Sequence, residues 1–153
     1  MNAEEICVIF PGLTVDPHFR IASPHDPAYN CFAWAAGDDH RWWDPVPLIA
    51  PTRAGVHWPA HVPVLLSRAA FIAAYATIGY EVCADPKLEE GFEKIALYEN
   101  ADGEPVHAAR QLDSGVWTSK LGRANDIEHG APETIEAPLS GAPALFLRRP
   151  RQA

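Results

Sequence analysis

The sequence predicts an α+β fold in which N-terminal helices pack on a small antiparallel sheet. A helical pattern ends before Gly79, and the residues after it alternate with the period of strands. The length of 153 residues, of which 48% are hydrophobic and 21% charged, is typical of one soluble domain. We therefore expect a single domain over residues 1–153. Its residues 1–29 would form an extended N-terminal arm that opens with a short strand at 6–10, and residues 30–149 the globular core.

The first helix of the core is predicted at Cys31. Asn30 is a favoured N-cap residue, which makes Cys31 the first helical residue, and Gly37 follows as the glycine that ends the helix. Tyr29 and Trp34 occupy the two positions of a hydrophobic staple, which fixes the angle at which the chain enters a helix. A helix of about two turns is stable only when it is buried.

The rest of the core is predicted as a loop, a helix and an antiparallel meander. Residues 40–63 hold three tryptophans and five prolines, a composition that favours a structured loop. Apolar residues at helical spacing predict a helix at 64–78, with Pro63 at its start and Gly79 after its end. The short turns between the later segments favour hairpins, with strands predicted at 80–83, 93–98, 105–112, 116–120 and 144–148.

Cys31 is the candidate nucleophile. The first turn of a helix presents unpaired N–H groups and the positive end of its dipole, and both lower the pKa of a thiol. The same N–H groups are able to hold an oxyanion. A buried cysteine with a purely structural role is the alternative, because free cysteine is among the most buried residue types.

His107 is the candidate general base, because it lies on a predicted strand among apolar residues and needs a specific polar partner. A core histidine bonded to a backbone carbonyl is the alternative. If residues 113–115 close a hairpin, Ser119 is diagonal to His107 on the same face and within reach of its ring. Asp126 is the second candidate for the residue that orients the imidazole, and the sequence leaves this choice open.

Other features bear on ligands and location. The net charge of −8 argues against nucleic acid and anionic membranes as partners. No signal peptide is recognised, and three widely spaced cysteines favour a cytoplasmic location. His57 and His61 are separated by Pro59, so neither a metal site nor a cofactor is expected. The predicted substrate is a peptide or protein, and its binding residues are expected among Tyr29, Asn30, Trp34, Trp43 and Trp117.

Five blocks of this sequence resemble a bacterial family of uncharacterised domains, over residues 29–149. At the level of element order the chain is also similar to the papain-like superfamily that includes the NlpC/P60 cysteine peptidases. That resemblance implies an NlpC/P60-like fold, Cys31 as nucleophile, His107 as base and a third polar residue on the next strand. The Asp-Cys-Ser-Gly setting of NlpC/P60 nucleophiles is absent here. The family-like blocks are 29–35, 91–98, 107–112, 117–122 and 126–129.

These observations predict a thiol hydrolase or acyl transferase that acts on an amide, isopeptide or thioester bond. A non-catalytic protein-binding module, of the immunity or adaptor type, is the alternative, in which the aromatic loop would hold a protein partner. The acidic net charge would then suit a basic partner.

Overall fold

The computed structural model describes residues 1–45 and 55–152. The middle of the aromatic loop predicted at 40–63 lies outside the described residues. Within the described residues, a seven-stranded antiparallel sheet forms the centre of the fold, in the order β1-β8-β7-β6-β5-β9-β4. Its strands are β1 (Arg20–Ile21), β4 (Glu81–Cys83), β5 (Phe92–Glu99), β6 (Pro105–Gln111), β7 (Trp117–Lys120), β8 (Asp126–His129) and β9 (Ala142–Pro150).

Helices are short and lie on both sides of this sheet. The α-helices are α1 (Ala3–Ile9), α2 (Cys31–Ala35) and α3 (Arg68–Ala76), and 3₁₀ turns cover Pro11–Val15 and Pro132–Ile135. Each α-helix begins at a side-chain cap, because Asn2, Asn30 and Ser67 each accept a hydrogen bond from a backbone N–H three residues ahead. A separate pair of parallel strands joins β2 (Trp42–Trp43) to β3 (Val56–His57).

The prediction of a papain-like α+β fold with N-terminal helices on a small sheet is wrong. The sheet dominates the described residues, and the helices contain only seven, five and nine residues. The sheet is larger than predicted because β1 and β8 extend it on one side, and β5 and β9 are longer than their apolar patterns indicate. Burial on both faces explains β5, whose Ile95 and Leu97 face one core and whose Ala96 and Tyr98 face the other.

Three other element predictions need correction. Residues 6–10 do not form a strand, because helix α1 covers Ala3–Ile9 and buries Ile6 at the centre of a core. Helix α3 begins at Arg68 and not at residue 64, so Pro63 lies outside it and Ser67 supplies the cap. Residues 126–129, which lie outside the predicted strands, form β8, which is paired on both sides.

The sheet separates two cores, which we call the α2 face and the α1 face. On the α2 face, α2 and α3 pack against Ile95, Leu97 and Ala108. On the α1 face, α1 and the 3₁₀ turns pack against Tyr98 and Ala109. The alternation of side chains along β6 therefore assigns His107 to the α1 face and its neighbour Ala108 to the α2 face.

The longest helix in the described residues, α3, has nine residues, well short of the about 20 that a helix needs to cross a bilayer.

Candidate active site

Cys31 lies where the sequence predicts it, at the first residue of α2. The Asn30 side chain accepts a hydrogen bond from the Ala33 N–H at 3.1 Å, and the rings of Tyr29 and Trp34 are 5.4 Å apart, as expected for the staple. Gly37 follows the helix with a φ of 83°, a conformation that favours glycine. The cap, the staple and the ending of this helix are thus confirmed. Cys31 itself is 8% exposed.

The Cys31 thiol lies among groups with opposing effects on its pKa. Burial raises the pKa to about 11, against the combined influence of the backbone N–H groups of Ala108, Phe32 and Cys31 and the charge of Lys120. The N–H groups and the ammonium favour the thiolate, and desolvation favours the thiol. The thiol therefore keeps its proton at neutral pH, and a reaction at this sulfur requires a base.

Cys31 and His107 line the same cavity, which has a volume of about 300 Å³. Cys31 reaches it from the α2 face, and His107 from the α1 face. In the described residues, β6 and β7 are paired only at Arg110–Thr118 and Gln111–Trp117, so the two strands are not paired beside His107. The cavity is therefore open to side chains from both faces of the sheet. No hydrogen bond joins Cys31 to His107 within residues 1–45 and 55–152.

His107 contacts Ser119, as the predicted hairpin register requires. Leu112 donates its N–H to the Val116 carbonyl at 2.8 Å, which closes the hairpin, and His107 Nε2 lies 3.1 Å from Ser119 Oγ. Ser119 Oγ lies in turn 2.8 Å from His129 Nε2, and His129 Nδ1 lies 2.9 Å from the Ala131 carbonyl oxygen. The result is a buried relay of three side chains that ends on the main chain.

The direction of every hydrogen bond in this relay follows from its end. A carbonyl only accepts, so His129 Nδ1 carries the proton and donates to Ala131. Burial lowers the pKa of His129 to about 4, so this ring is neutral and its Nε2 accepts from the Ser119 hydroxyl. Ser119 Oγ then accepts from His107 Nε2–H. Burial and His129 lower the pKa of His107 to about 3, so the remaining nitrogen, Nδ1, is an unprotonated base.

Asp126 does not orient His107. Its carboxylate lies on the α2 face and accepts a hydrogen bond from the Tyr29 hydroxyl at 2.8 Å, while its Oδ1 atom is buried and has no hydrogen-bond partner among the described residues. Burial raises the pKa of Tyr29, and the hydrogen bond with Asp126 raises it further. Register explains this placement, because Asp126 pairs with Lys120 and not with Ser119. Residues 126–129 lie outside the predicted strands, so the sequence offers no register for Asp126.

Lys120 supplies the fixed charge near the thiol. Its Nζ donates to the carbonyls of Asp26 at 2.6 Å, Gly122 at 3.1 Å and Ala124 at 2.6 Å, and it lies 4.8 Å from the centre of the Tyr29 ring. Burial lowers the pKa of Lys120, and the charge of Asp126 opposes that shift. All three N–H bonds of the ammonium are used, so Lys120 acts near Cys31 through its charge and not as a free donor.

The other residues predicted to bind substrate have packing roles. Asn30 Oδ1 also accepts from the Trp43 N–H at 3.1 Å, and Asn30 Nδ2 donates to the Trp43 carbonyl at 2.8 Å, which ties α2 to β2. Trp34 donates to Thr118 Oγ1 at 2.9 Å. Trp43 and Trp117 are 4% and 2% exposed, respectively, and belong to different cores. None of the five, Tyr29 included, lines the cavity shared by Cys31 and His107.

Two residues of the site, His129 and Lys120, could not be given their roles from the sequence. The signal for His129 is its alternation with Ile127 in β8, which assigns both side chains to the buried α1 face. Lys120 gives no such signal, because a lysine at the end of a strand is usually exposed. In the part of the chain that the structure describes, no group of three or more metal-ligating side chains is present.

Comparison with known families finds one match over most of the chain. The family described as Domain of unknown function (DUF7689) matches residues 20–148, in agreement with the predicted resemblance to uncharacterised domains over 29–149. The likeness to NlpC/P60 enzymes has no support from this match. No curated protein and no solved structure matches the chain.

Proposed function

We propose that this chain, which belongs to the DUF7689 family, is a thiol-dependent hydrolase or acyl transferase in which Cys31 is the nucleophile and His107 the base. One observation carries the proposal: Cys31 lines the same cavity as His107, whose Nε2 is hydrogen-bonded to Ser119, so that its Nδ1 is the nitrogen available as a base. Both groups are neutral at rest. Because the pKa of His107 is low and that of Cys31 is high, proton transfer from the sulfur to Nδ1 has to coincide with attack on the substrate carbonyl.

The reaction begins when the Cys31 sulfur attacks the carbonyl carbon of an amide, isopeptide or thioester and its proton passes to His107 Nδ1. The imidazolium, which donates to Ser119 through Nε2–H, then returns this proton to the leaving amine or thiol as the C–N or C–S bond breaks. Water or an acceptor amine attacks the acyl-enzyme and gives a proton to Nδ1. The bond between the acyl carbon and Cys31 breaks, and the sulfur recovers the proton.

Two groups are assigned supporting roles. The N–H groups of Phe32 and Ala108, which favour the thiolate of Cys31, are the donors we assign to the oxyanion. The Lys120 charge favours both the thiolate and the oxyanion. Cys31 and His107 are not hydrogen-bonded within the described residues, and catalytic pairs are often long in unliganded proteins and shorten with substrate.

The test compares three thiols in one chain. Cys7 and Cys83 are more exposed than Cys31, so access alone predicts that an electrophile modifies them first. We expect a small thioester to acylate Cys31 faster than either, with an adduct that hydroxylamine removes and that Cys31→Ser abolishes. His107→Gln should slow acylation of Cys31 at least a hundredfold. Peptide mass spectrometry at pH 7 measures all three sites together, so Cys7 and Cys83 serve as internal controls.

Acylation confined to Cys7 and Cys83, or equal acylation of Cys31 with and without His107, would refute the proposed enzymatic function. That result would favour a non-catalytic binding module. A cytoplasmic location remains the prediction made from the cysteine spacing.

A further inference from the structure

The cavity that joins Cys31 to His107 is lined mainly by apolar side chains. Besides these two residues, the walls contain Ile9 and Phe10 from the N-terminal helix and its cap, Val106 from β6, and Leu139 from the segment before β9. Phe10 is buried, and Leu139 is 72% exposed, which identifies it as a residue of the cavity mouth.

The polar side chains of the cavity wall are already bonded within the protein. Lys120 Nζ donates to three carbonyls, and Ser140 Oγ donates to the Ile135 carbonyl. His107 Nε2 is engaged by Ser119. Among the described residues that line the cavity, only the Cys31 thiol and His107 Nδ1 remain as polar side-chain groups for a substrate, and the proposed reaction uses both. The side chains of this wall therefore leave no further partners for the N–H and C=O groups of a peptide main chain, and each such group left unpaired in the cavity would cost free energy.

From these observations we infer that the cavity binds the alkyl chain of an acyl group, and that the substrate class is a medium-chain acyl thioester or acyl amide whose leaving group stays outside. This inference rests on the proposed function, because it assigns the acyl carbon to the position beside Cys31. The volume of about 300 Å³ is roughly twice that of a cavity that holds benzene, which corresponds to a chain of about eight to ten carbons.

The experiment varies the acyl chain with a constant leaving group. N-acetylcysteamine thioesters of acetic, butyric, octanoic and palmitic acids are offered to the full-length protein, and acylation of Cys31 is followed by mass spectrometry. Each buried methylene contributes about fourfold to the rate constant, so octanoyl, with its four additional methylenes, should react roughly 250-fold faster than butyryl. Palmitoyl should react more slowly than octanoyl, because its chain exceeds the cavity.

Matched variants test the cavity itself. Ile9→Trp places a large ring in the cavity, and Val8→Trp places the same ring one residue away on a side chain that is 78% exposed. Leu139→Asp puts a charge at the mouth, and Val15→Asp puts one on a surface side chain that is 85% exposed. The two cavity variants should lose the preference for octanoyl over acetyl, and the two surface variants should keep it. Circular dichroism identifies any variant that fails to fold. If Ile9→Trp fails to fold, the comparison of Leu139→Asp with Val15→Asp tests the cavity.

A measurement of octanoate binding tests this inference independently of the proposed function. Cys31→Ala removes the nucleophile, and calorimetry with octanoate should still show binding that Ile9→Trp abolishes. Equal acylation of Cys31 by acetyl and octanoyl would overturn the acyl-chain cavity and leave the thiol enzyme standing. Octanoate binding without acylation of Cys31 at any length would overturn the thiol enzyme and leave the cavity. Failure of both measurements would overturn both.

Discussion

The two faces of the sheet bury polar groups in different ways. On the α2 face the buried group near Cys31 is the Lys120 ammonium, which donates to carbonyl oxygens and lies close to Asp126. On the α1 face the buried relay of His107, Ser119 and His129 is neutral, because burial lowers the pKa of both imidazoles. The proposed nucleophile and base therefore need opposite environments. A fixed positive charge favours the thiolate, whereas a neutral surrounding keeps the imidazole unprotonated.

The largest expected effect is a loss of stability in acid, caused by the two buried histidines of the α1 face. A histidine whose pKa is lowered by folding binds its proton more readily when unfolded, so its contribution to stability is present above pH 6.5. That contribution is lost as the pH falls toward the folded pKa. The pKa in the folded protein is about 3 for His107 and about 4 for His129. Each imidazole should therefore lower the free energy of unfolding by about 2 kcal/mol between pH 7 and pH 5.

His129→Phe tests this acid effect by urea unfolding at both pH values. The variant removes one of the two imidazoles, so the difference in unfolding free energy between pH 7 and pH 5 should shrink by about 2 kcal/mol. His57, whose pKa is also lowered by burial, contributes equally in both proteins and cancels. An unchanged pH dependence would show that the buried relay is not neutral.

Loss of the fixed charge on the α2 face should have the next largest effect. Lys120→Met removes a buried ammonium and the donor of the Asp26, Gly122 and Ala124 carbonyls, and it should lower the unfolding free energy by about 3 kcal/mol. It should also slow alkylation of Cys31 by iodoacetamide at pH 8, because the pKa of the thiol rises further without the ammonium.

Lys94→Met is the matched control for the effect on the thiol. Lys94 is 3% exposed and donates to the Asp85 carbonyl at 3.0 Å, but its charge does not enter the environment of Cys31. This variant should lose stability and leave the alkylation rate of Cys31 unchanged. Equal slowing in both variants would attribute the effect to loosened packing, and would remove Lys120 from the proposed site.

The sequence was sufficient for the local features of the site and insufficient for its long-range ones. Asn30, Tyr29 and Trp34 predict the start of α2 because capping and stapling involve residues only a few positions apart. The contact between His107 and Ser119 follows from one hairpin register. The position of Asp126 required knowledge that 126–129 forms β8. This strand pairs with β7 across a short connection not recognised as a hairpin, and with β1 from a distant part of the chain. Similarly, residues 6–10 carry an apolar pattern too short to distinguish a strand from the helix that the Asn2 cap begins.

The smallest expected effect concerns the tautomer of His107 and tests the link between the two faces most directly. Ser119→Ala removes the acceptor of His107 Nε2–H, so both tautomers should be populated and acylation of Cys31 should fall on the order of tenfold. Nitrogen-15 NMR reads the tautomer itself: Nδ1 should be unprotonated in the wild type and partly protonated in the variant. Thr118→Ala is the control, because its hydroxyl bonds Trp34 and the Ile127 carbonyl on the opposite face. Removal of either hydroxyl disturbs β7, but only the loss of Ser119 should change the His107 spectrum, and a wild-type ring protonated at Nδ1 would leave Cys31 without its base.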